Sequence, residues 1–215
     1  MIDPARLTAT RTSYDTVAAS YERLLSDELA GKPLDRLMLA AFAEEVRARG
    51  AGPVGDLGCG TGRVTHHLRE LGVEAFGVDL SPGMIAVARA TYPGLRFEVG
   101  SMTGLDLADG SLGGVLSWYS TVHMPAAAFP SVLTEFRRVL APGGPLLLAF
   151  KAGDGCVRLE QAYGHEVDLD VYRHPVDRIA SLLADAGFAV TARLVREPDP
   201  AETTPQGFLL AHRVD

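Results

Sequence analysis

The chain is poor in cysteine: only Cys59 and Cys156 occur among 215 residues. Their spacing forms neither a disulfide framework nor a zinc motif, so no metal site is expected. A reducing, cytoplasmic setting is the simple expectation. No stretch approaches the ~18 apolar residues of a membrane span. The opening "MIDPARLTATRTSYD" lacks the apolar region of a secretory signal, and no membrane partner is expected. Basic charge is also short, with 20 Lys and Arg against 27 Asp and Glu and a net charge of −7. Binders of the phosphate backbone usually present a basic face, so a nucleic-acid partner is not expected. Internal repeats and low-complexity linkers are missing too.

What is present is material for a core: 47% of the residues are hydrophobic. The length suits one domain over residues 1–215, as a monomer or homodimer. Up to about Gly50 the chain reads as helical, with Leu34, Leu37, Met38, Ala41, Phe42 and Val46 near helical spacing. Short apolar runs then alternate with amphipathic stretches. Strands are expected at Val54–Leu57, Ala75–Val78, Leu95–Val99, Leu112–Ser117 and Leu146–Phe150. Between them, Phe129, Val132, Leu133, Phe136, Val139 and Leu140 give the strongest helical stripe. Ser81 and Pro82 form an N-cap and first-turn pair. This alternation predicts an α/β fold with a mostly parallel, doubly wound sheet and helices on both faces.

"DGCVRLEQAYGHEVDLDVYRH" interrupts the alternation as a loop or hairpin, an insert near residues 153–175. A helix over Val176–Ala186 follows, with Gly187 as its stop. "FAVTARLVRE" and "QGFLLAHR" then read as two strands with no helix between them, an antiparallel hairpin at the sheet edge. Residues 51–215 are therefore the expected core. Residues 1–50 and the insert are candidates for a lid.

The chemistry concentrates in "VGDLGCGTG". Gly58, Gly60 and Gly62 remove Cβ atoms between a strand and a helix whose free N–H groups point at any ligand there. A merely tight turn would need the same glycines, so context must decide. Asp56 ends an apolar strand, where a carboxylate needs a partner; a cationic ligand group would supply one. The next strand ends in Asp79, about 20 residues past the turn, placed to accept hydrogen bonds from ribose hydroxyls. The dinucleotide pattern needs glycine at position 63, and Arg63 stands there, against a nicotinamide-dependent oxidoreductase.

"VGDLGCGTG", "VDLSPGMIAVAR", "VGSMTGLDLADGSLGGVLSWYSTVHM" and "FRRVLAPGGPLLLAF" resemble the successive motifs of class I S-adenosylmethionine-dependent methyltransferases. The resemblance implies a Rossmann-like seven-stranded sheet with an antiparallel last strand. It implies S-adenosylmethionine as cofactor and S-adenosylhomocysteine as product. Asp56, Gly58, Cys59 and Gly60 would surround the methionine part. Asp79 would take the ribose hydroxyls, Leu80 would lie against the adenine, and Ser101 and Met102 would sit at the adenine edge. Trp118 and Tyr119 would line the methyl-transfer site. Tyr14 and Tyr21, in "SYDTVAASYERLL", would close over the cofactor, although a seven-residue separation equally suits two core contacts.

The acceptor side is read from residue types. His123, just past the fourth strand, is the candidate general base, because imidazole titrates near neutral pH. Tyr119, His123, Tyr163 and Tyr172, with His165, are expected to line the acceptor pocket. His66 and His67 diverge by about 100° on a helix and make a poor chelating pair. Arg63, Arg137 and Arg138 read as helix-surface charges. The expected function is methyl transfer to an oxygen or nitrogen of a small molecule, a specialised metabolite. The alternatives are a protein or nucleic-acid methyltransferase and a cofactor-binding module without transferase activity.

Overall fold

The computed structural model describes residues 3–214. Two helices open it, α1 (Pro4–Leu25) and α2 (Pro33–Arg49), separated by a 3-10 turn at Glu28–Gly31. Both begin with proline in the first turn, where a missing N–H costs nothing. The Asp3 side chain caps α1 by accepting from the Ala5 N–H. Gly50 ends α2 with φ of 60°, a left-handed conformation that favours glycine.

From there strands and helices alternate: β1 (Val54–Leu57), α3 (Arg63–Glu70), β2 (Ala75–Asp79), α4 (Pro82–Thr91), β3 (Phe97–Val99), β4 (Gly114–Trp118), α5 (Phe129–Val139) and β5 (Pro145–Lys151). A separate hairpin follows, β6 (Cys156–Ala162) and β7 (His165–Tyr172), and then α6 (Val176–Asp185), β8 (Phe188–Arg196) and β9 (Gln206–Arg213). The seven-stranded sheet runs β3-β2-β1-β4-β5-β9-β8. The first five strands are parallel, whereas β9 is antiparallel to both β5 and β8. This is the Rossmann-like order expected from the sequence, with its reversed last strand in place.

Period-two alternation sorts the side chains between two cores. In β5, Leu146, Leu148 and Phe150 face α5 and α6, while Leu147 and Ala149 face α2 and α3. The α5 stripe is wholly buried on the first side. The second side claims α2, whose Met38, Leu39, Phe42, Ala43 and Val46 pack on Val54, Leu147 and Phe208. That packing narrows the expected lid: α2 belongs to the core layers, because its apolar stripe needs the sheet, and only α1 lies over the strand ends. Strand order reverses between β1 and β4, and ligands of such sheets bind at the carboxyl ends beside that point.

Candidate functional site

The glycine turn after β1 divides its labour. Gly58, Gly60 and Gly62 have φ of 87°, 56° and 86°. A Cβ at Gly58 would meet the Ser120 Cβ at 2.1 Å, and one at Gly62 the Phe97 ring at 2.5 Å. These two positions are closed by the protein's own packing. At Gly60 the nearest atom is a Tyr21 ring carbon at 3.9 Å, so that position opens onto a cavity.

Two carboxylates frame the cavity. Asp79, at the end of β2, accepts from the Gly60 N–H through Oδ2 and from the Ser81 N–H through Oδ1, both at 2.8 Å. Burial pushes its carboxyl up, and those N–H groups oppose the shift. Asp56 is 1% exposed. Its Oδ2 accepts from the Thr65 hydroxyl at 2.6 Å, while Oδ1 has no partner among the described residues. Burial pushes the Asp56 carboxyl up to about 7; Asp79 adds to the shift and Thr65 opposes it. A buried half-satisfied carboxylate on a cavity wall calls for a cationic or donor ligand.

Helix α1 forms the roof. Asp15 accepts from the Ser81 hydroxyl at 2.6 Å and the Gly83 N–H at 2.8 Å, and so fastens α1 to the start of α4. The Tyr14 hydroxyl donates to His123 Nε2 at 2.7 Å. His123 Nδ1 lies 2.7 Å from the Asp170 carbonyl oxygen. A carbonyl only accepts, so Nδ1 carries the proton and Nε2 the free lone pair. Burial holds the His123 imidazole below its ordinary range, with Lys151 and Arg6 acting in the same direction. Tyr21 sits between Tyr14 and Tyr163, with ring centroids at 6.3 and 5.0 Å.

The predicted insert is the β6–β7 hairpin, and it walls a second cavity that shares Tyr14, Tyr21, Arg63, Tyr119 and His123 with the first. Val157 pairs across the hairpin with Val171, and Leu159 with Leu169, which gives the cavity an apolar wall. Between these residues, Arg158, Asp168 and Asp170 form ion pairs on the hairpin's other face, and Arg6 of α1 joins both aspartates.

Most of the sequence-predicted site residues come together here. Asp56, Gly58, Cys59, Gly60, Asp79 and Leu80 line the first cavity, as do Ser101, Met102 and Trp118. Tyr14, Tyr21, Tyr119 and His123 line both cavities, and Tyr163 the second. Tyr172 is not brought to either. Its ring stacks on His174, 6.2 Å between centroids, because its register position opposite Cys156 turns it off the apolar wall. His165 instead meets the Ser20 hydroxyl at 2.9 Å.

The largest departure is Arg63, expected on a helix surface. It is buried, pairs with Glu28 at 2.6 Å and borders both cavities, because the first turn of α3 faces the 3-10 segment before α2. Sequence reading also passed over Asp15, Lys151 and Arg173. Asp15 had one available signal, an acidic residue that can meet the N-terminus of α4.

Fold and site together define a Rossmann-like domain for an adenosine-containing cofactor. Residues 54–144 match the family described as "Methyltransferase domain". A demethylmenaquinone methyltransferase of Beutenbergia cavernae is 32% identical over 151 residues, 70% of this chain and 61% of that protein. A malonyl-[acyl-carrier protein] O-methyltransferase of Serratia marcescens is 32% identical over 108 residues, 50% of this chain and 42% of that protein. The chain thus spans less than two thirds of the length of these curated relatives. In fold it is similar to the DhpI–S-adenosylhomocysteine complex, with TM-score 0.74, 19% identity and 99% of each chain covered. It is also similar to the Burkholderia thailandensis 1,6-didemethyltoxoflavin-N1-methyltransferase, with TM-score 0.71, 19% identity, and 100% and 92% covered. Residues 54–144 thus carry a methyltransferase domain, and the chain is similar to the class I S-adenosylmethionine-dependent methyltransferases.

Proposed function

We propose that this protein transfers the methyl group of S-adenosylmethionine to an oxygen or nitrogen of a small molecule, a specialised metabolite. The observation that carries this reading is the continuity of two cavities through Tyr14, Tyr119 and His123. One holds the glycine turn and the two aspartates; the other is apolar-walled and roofed. A module that only stored the cofactor would have no use for the second chamber. The roof formed by α1 and the hairpin suits a compact acceptor better than a polymer. Free thiols at Cys59 and Cys156 fit a reducing, cytoplasmic setting.

The residues present fit the cofactor. The unpartnered Asp56 Oδ1 suits its ammonium group, the opening at Gly60 lets it approach the backbone, and Asp79 supplies acceptors for ribose hydroxyls. Leu80 and Met102 offer apolar surface to the base. When bound, S-adenosylmethionine supplies a methyl group already activated on a sulfonium. The protein's share of the work is alignment and exclusion of water, and such positioning is worth on the order of 7–11 kcal/mol in favourable cases. An acceptor that holds its proton at neutral pH also needs a base. Its proton passes to the Tyr14 oxygen as the Tyr14 proton moves to His123 Nε2, and the Asp170 carbonyl steadies the imidazole.

Three measurements test this reading. Calorimetry with S-adenosylmethionine, S-adenosylhomocysteine and NAD should show binding of the first two alone; binding of NAD alone would overturn it. For a protonated acceptor, His123→Ala and Tyr14→Phe should each slow turnover by about 10²–10⁴-fold. Binding of S-adenosylhomocysteine should change far less. Because the imidazole titrates below its ordinary range, wild-type turnover at saturating S-adenosylmethionine should hold steady from neutral pH into mild acid and fall only as His123 protonates.

A further inference from the structure

The second cavity carries a charge that nothing among the described residues neutralises. Lys151 ends β5, and Arg173 follows β7 by one residue; both are half-buried and line this cavity. The two segments are adjacent, since the His174 N–H donates to the Lys151 carbonyl at 2.9 Å and Ala152 bridges to His174. Among the described residues, the carboxylates bordering the cavity are Glu28 and Glu202. Glu28 is taken by Arg63, and Glu202 by Lys32 and Arg196. Among the described residues, neither Lys151 nor Arg173 has an ion pair or a side-chain hydrogen bond, although eighteen ion-pair contacts form elsewhere. The Thr204 hydroxyl, buried on the same cavity, is likewise unpartnered. In a chain of net charge −7, two idle cations and an idle hydroxyl in one apolar-walled chamber make a seat of opposite sign.

We propose that Lys151 and Arg173 bind an anionic oxygen group, a carboxylate or a phosphate, carried by the methyl acceptor at a point apart from the atom methylated. The assignment rests on the second cavity being the acceptor chamber. Val157, Leu159, Leu169 and Val171 would cover the acceptor's apolar body. Tyr14 and His123, shared with the first cavity, mark the end where the reacting atom lies. The cations then fix the acceptor's orientation: held by its charged end, the molecule presents the opposite end to the cofactor. An Arg fork beside a Lys point charge suits planar carboxylate and tetrahedral phosphate alike. Binding energy collected at this remote group is available to hold the reacting atom in line.

The test uses the full chain loaded with S-adenosylhomocysteine and three matched probes: 2-naphthoate, 2-naphthyl phosphate and the neutral 2-naphthamide. At least one anionic probe should bind about tenfold or more tightly than the amide, the range of a charge-assisted hydrogen bond. Which of the two does so separates carboxylate from phosphate. Lys151→Gln with Arg173→Gln should abolish that preference and leave S-adenosylhomocysteine affinity unchanged, since neither residue lines the first cavity. Equal binding of anions and amide, no binding of either anion, or a preference that survives in the double variant would each overturn the assignment. The comparison of probes on the wild-type chain stands even if the double variant fails to fold. Failure of S-adenosylhomocysteine to bind at the outset would instead overturn the methyltransferase reading.

Discussion

Asp56 is the residue whose electrostatics are most exposed to experiment. An acid with a raised pKa in the fold contributes stability that is present below its ordinary 3.8 and lost as pH rises through about 7. The ligand-free protein therefore weakens across that window on account of this group. A cationic ligand beside Oδ1 reverses the balance by favouring the carboxylate. Affinity for S-adenosylmethionine should rise as pH rises through about 7, with proton release visible as a buffer-dependent heat. Asp56→Asn should flatten that dependence and weaken binding by about tenfold or more, as loss of a charged hydrogen-bond partner does. A pH profile unchanged in the variant would remove Asp56 from contact with the ligand. At this scale much was legible. Asp56, Asp79 and the glycines stand out because carboxylates and Cβ-less positions at strand ends have few structural uses. Arg63 did not, because a charge on a short helix looks solvated until its neighbours are known. Tyr172 was misplaced by parity: Leu169 and Val171 face the cavity, so strand alternation turns Tyr172, opposite Cys156, to the other face.

Among the elements, α1 roofs the first cavity and would decide access to a cofactor bound there. It is held at three places: Asp15 on α4, Ser13 and Ser20 on the hairpin, and Arg6 across the two hairpin aspartates. Half-exposed ion pairs like those of Arg6 are each worth only about 0–1 kcal/mol. The contact with α4 is the tightest, for a Cβ at Gly83 would lie 2.9 Å from the Asp15 Cα. Gly83→Val should therefore lift α1 from α4 while the sheet stays folded. Amide exchange in Pro4–Leu25 should quicken, and S-adenosylhomocysteine should bind about tenfold or more weakly, by loss of the Asp15 bonds. Unaltered exchange would mean that α1 stays seated without the close Gly83–Asp15 approach, and quickened exchange with unaltered affinity that α1 is not needed for binding. The strands and α5 were readable because continuous apolar runs and a 3.6-residue stripe have one burial solution each. The division of residues 1–50 into roof and core was not readable, since α1 and α2 both look helical and only the sheet tells them apart.

For the whole molecule, the two joined cavities cost stability that ligands restore. They reach from the glycine turn to the hairpin and leave buried groups such as Asp56 Oδ1 and the Thr204 hydroxyl without partners among the described residues. S-adenosylhomocysteine at a hundredfold excess over its Kd should add about 2.7 kcal/mol to the folded state. For a chain of this size that corresponds to a rise in Tm of about 5–11 °C, readable by calorimetry or dye-monitored melting. NAD at equal concentration should leave Tm in place.

The position of β9 bears on the order in which the sheet can be completed. It lies between β5 and β8, although both precede it along the chain. A nascent chain that has delivered residues up to Arg196 still carries an open rim on β5 and a stranded β8, with no hydrogen-bonding partner for either. Gln206–Arg213 must emerge before that rim is closed. Closure during synthesis is therefore late and all at once. Until then the half-built sheet offers a sticky edge, one that a chaperone would be expected to cover.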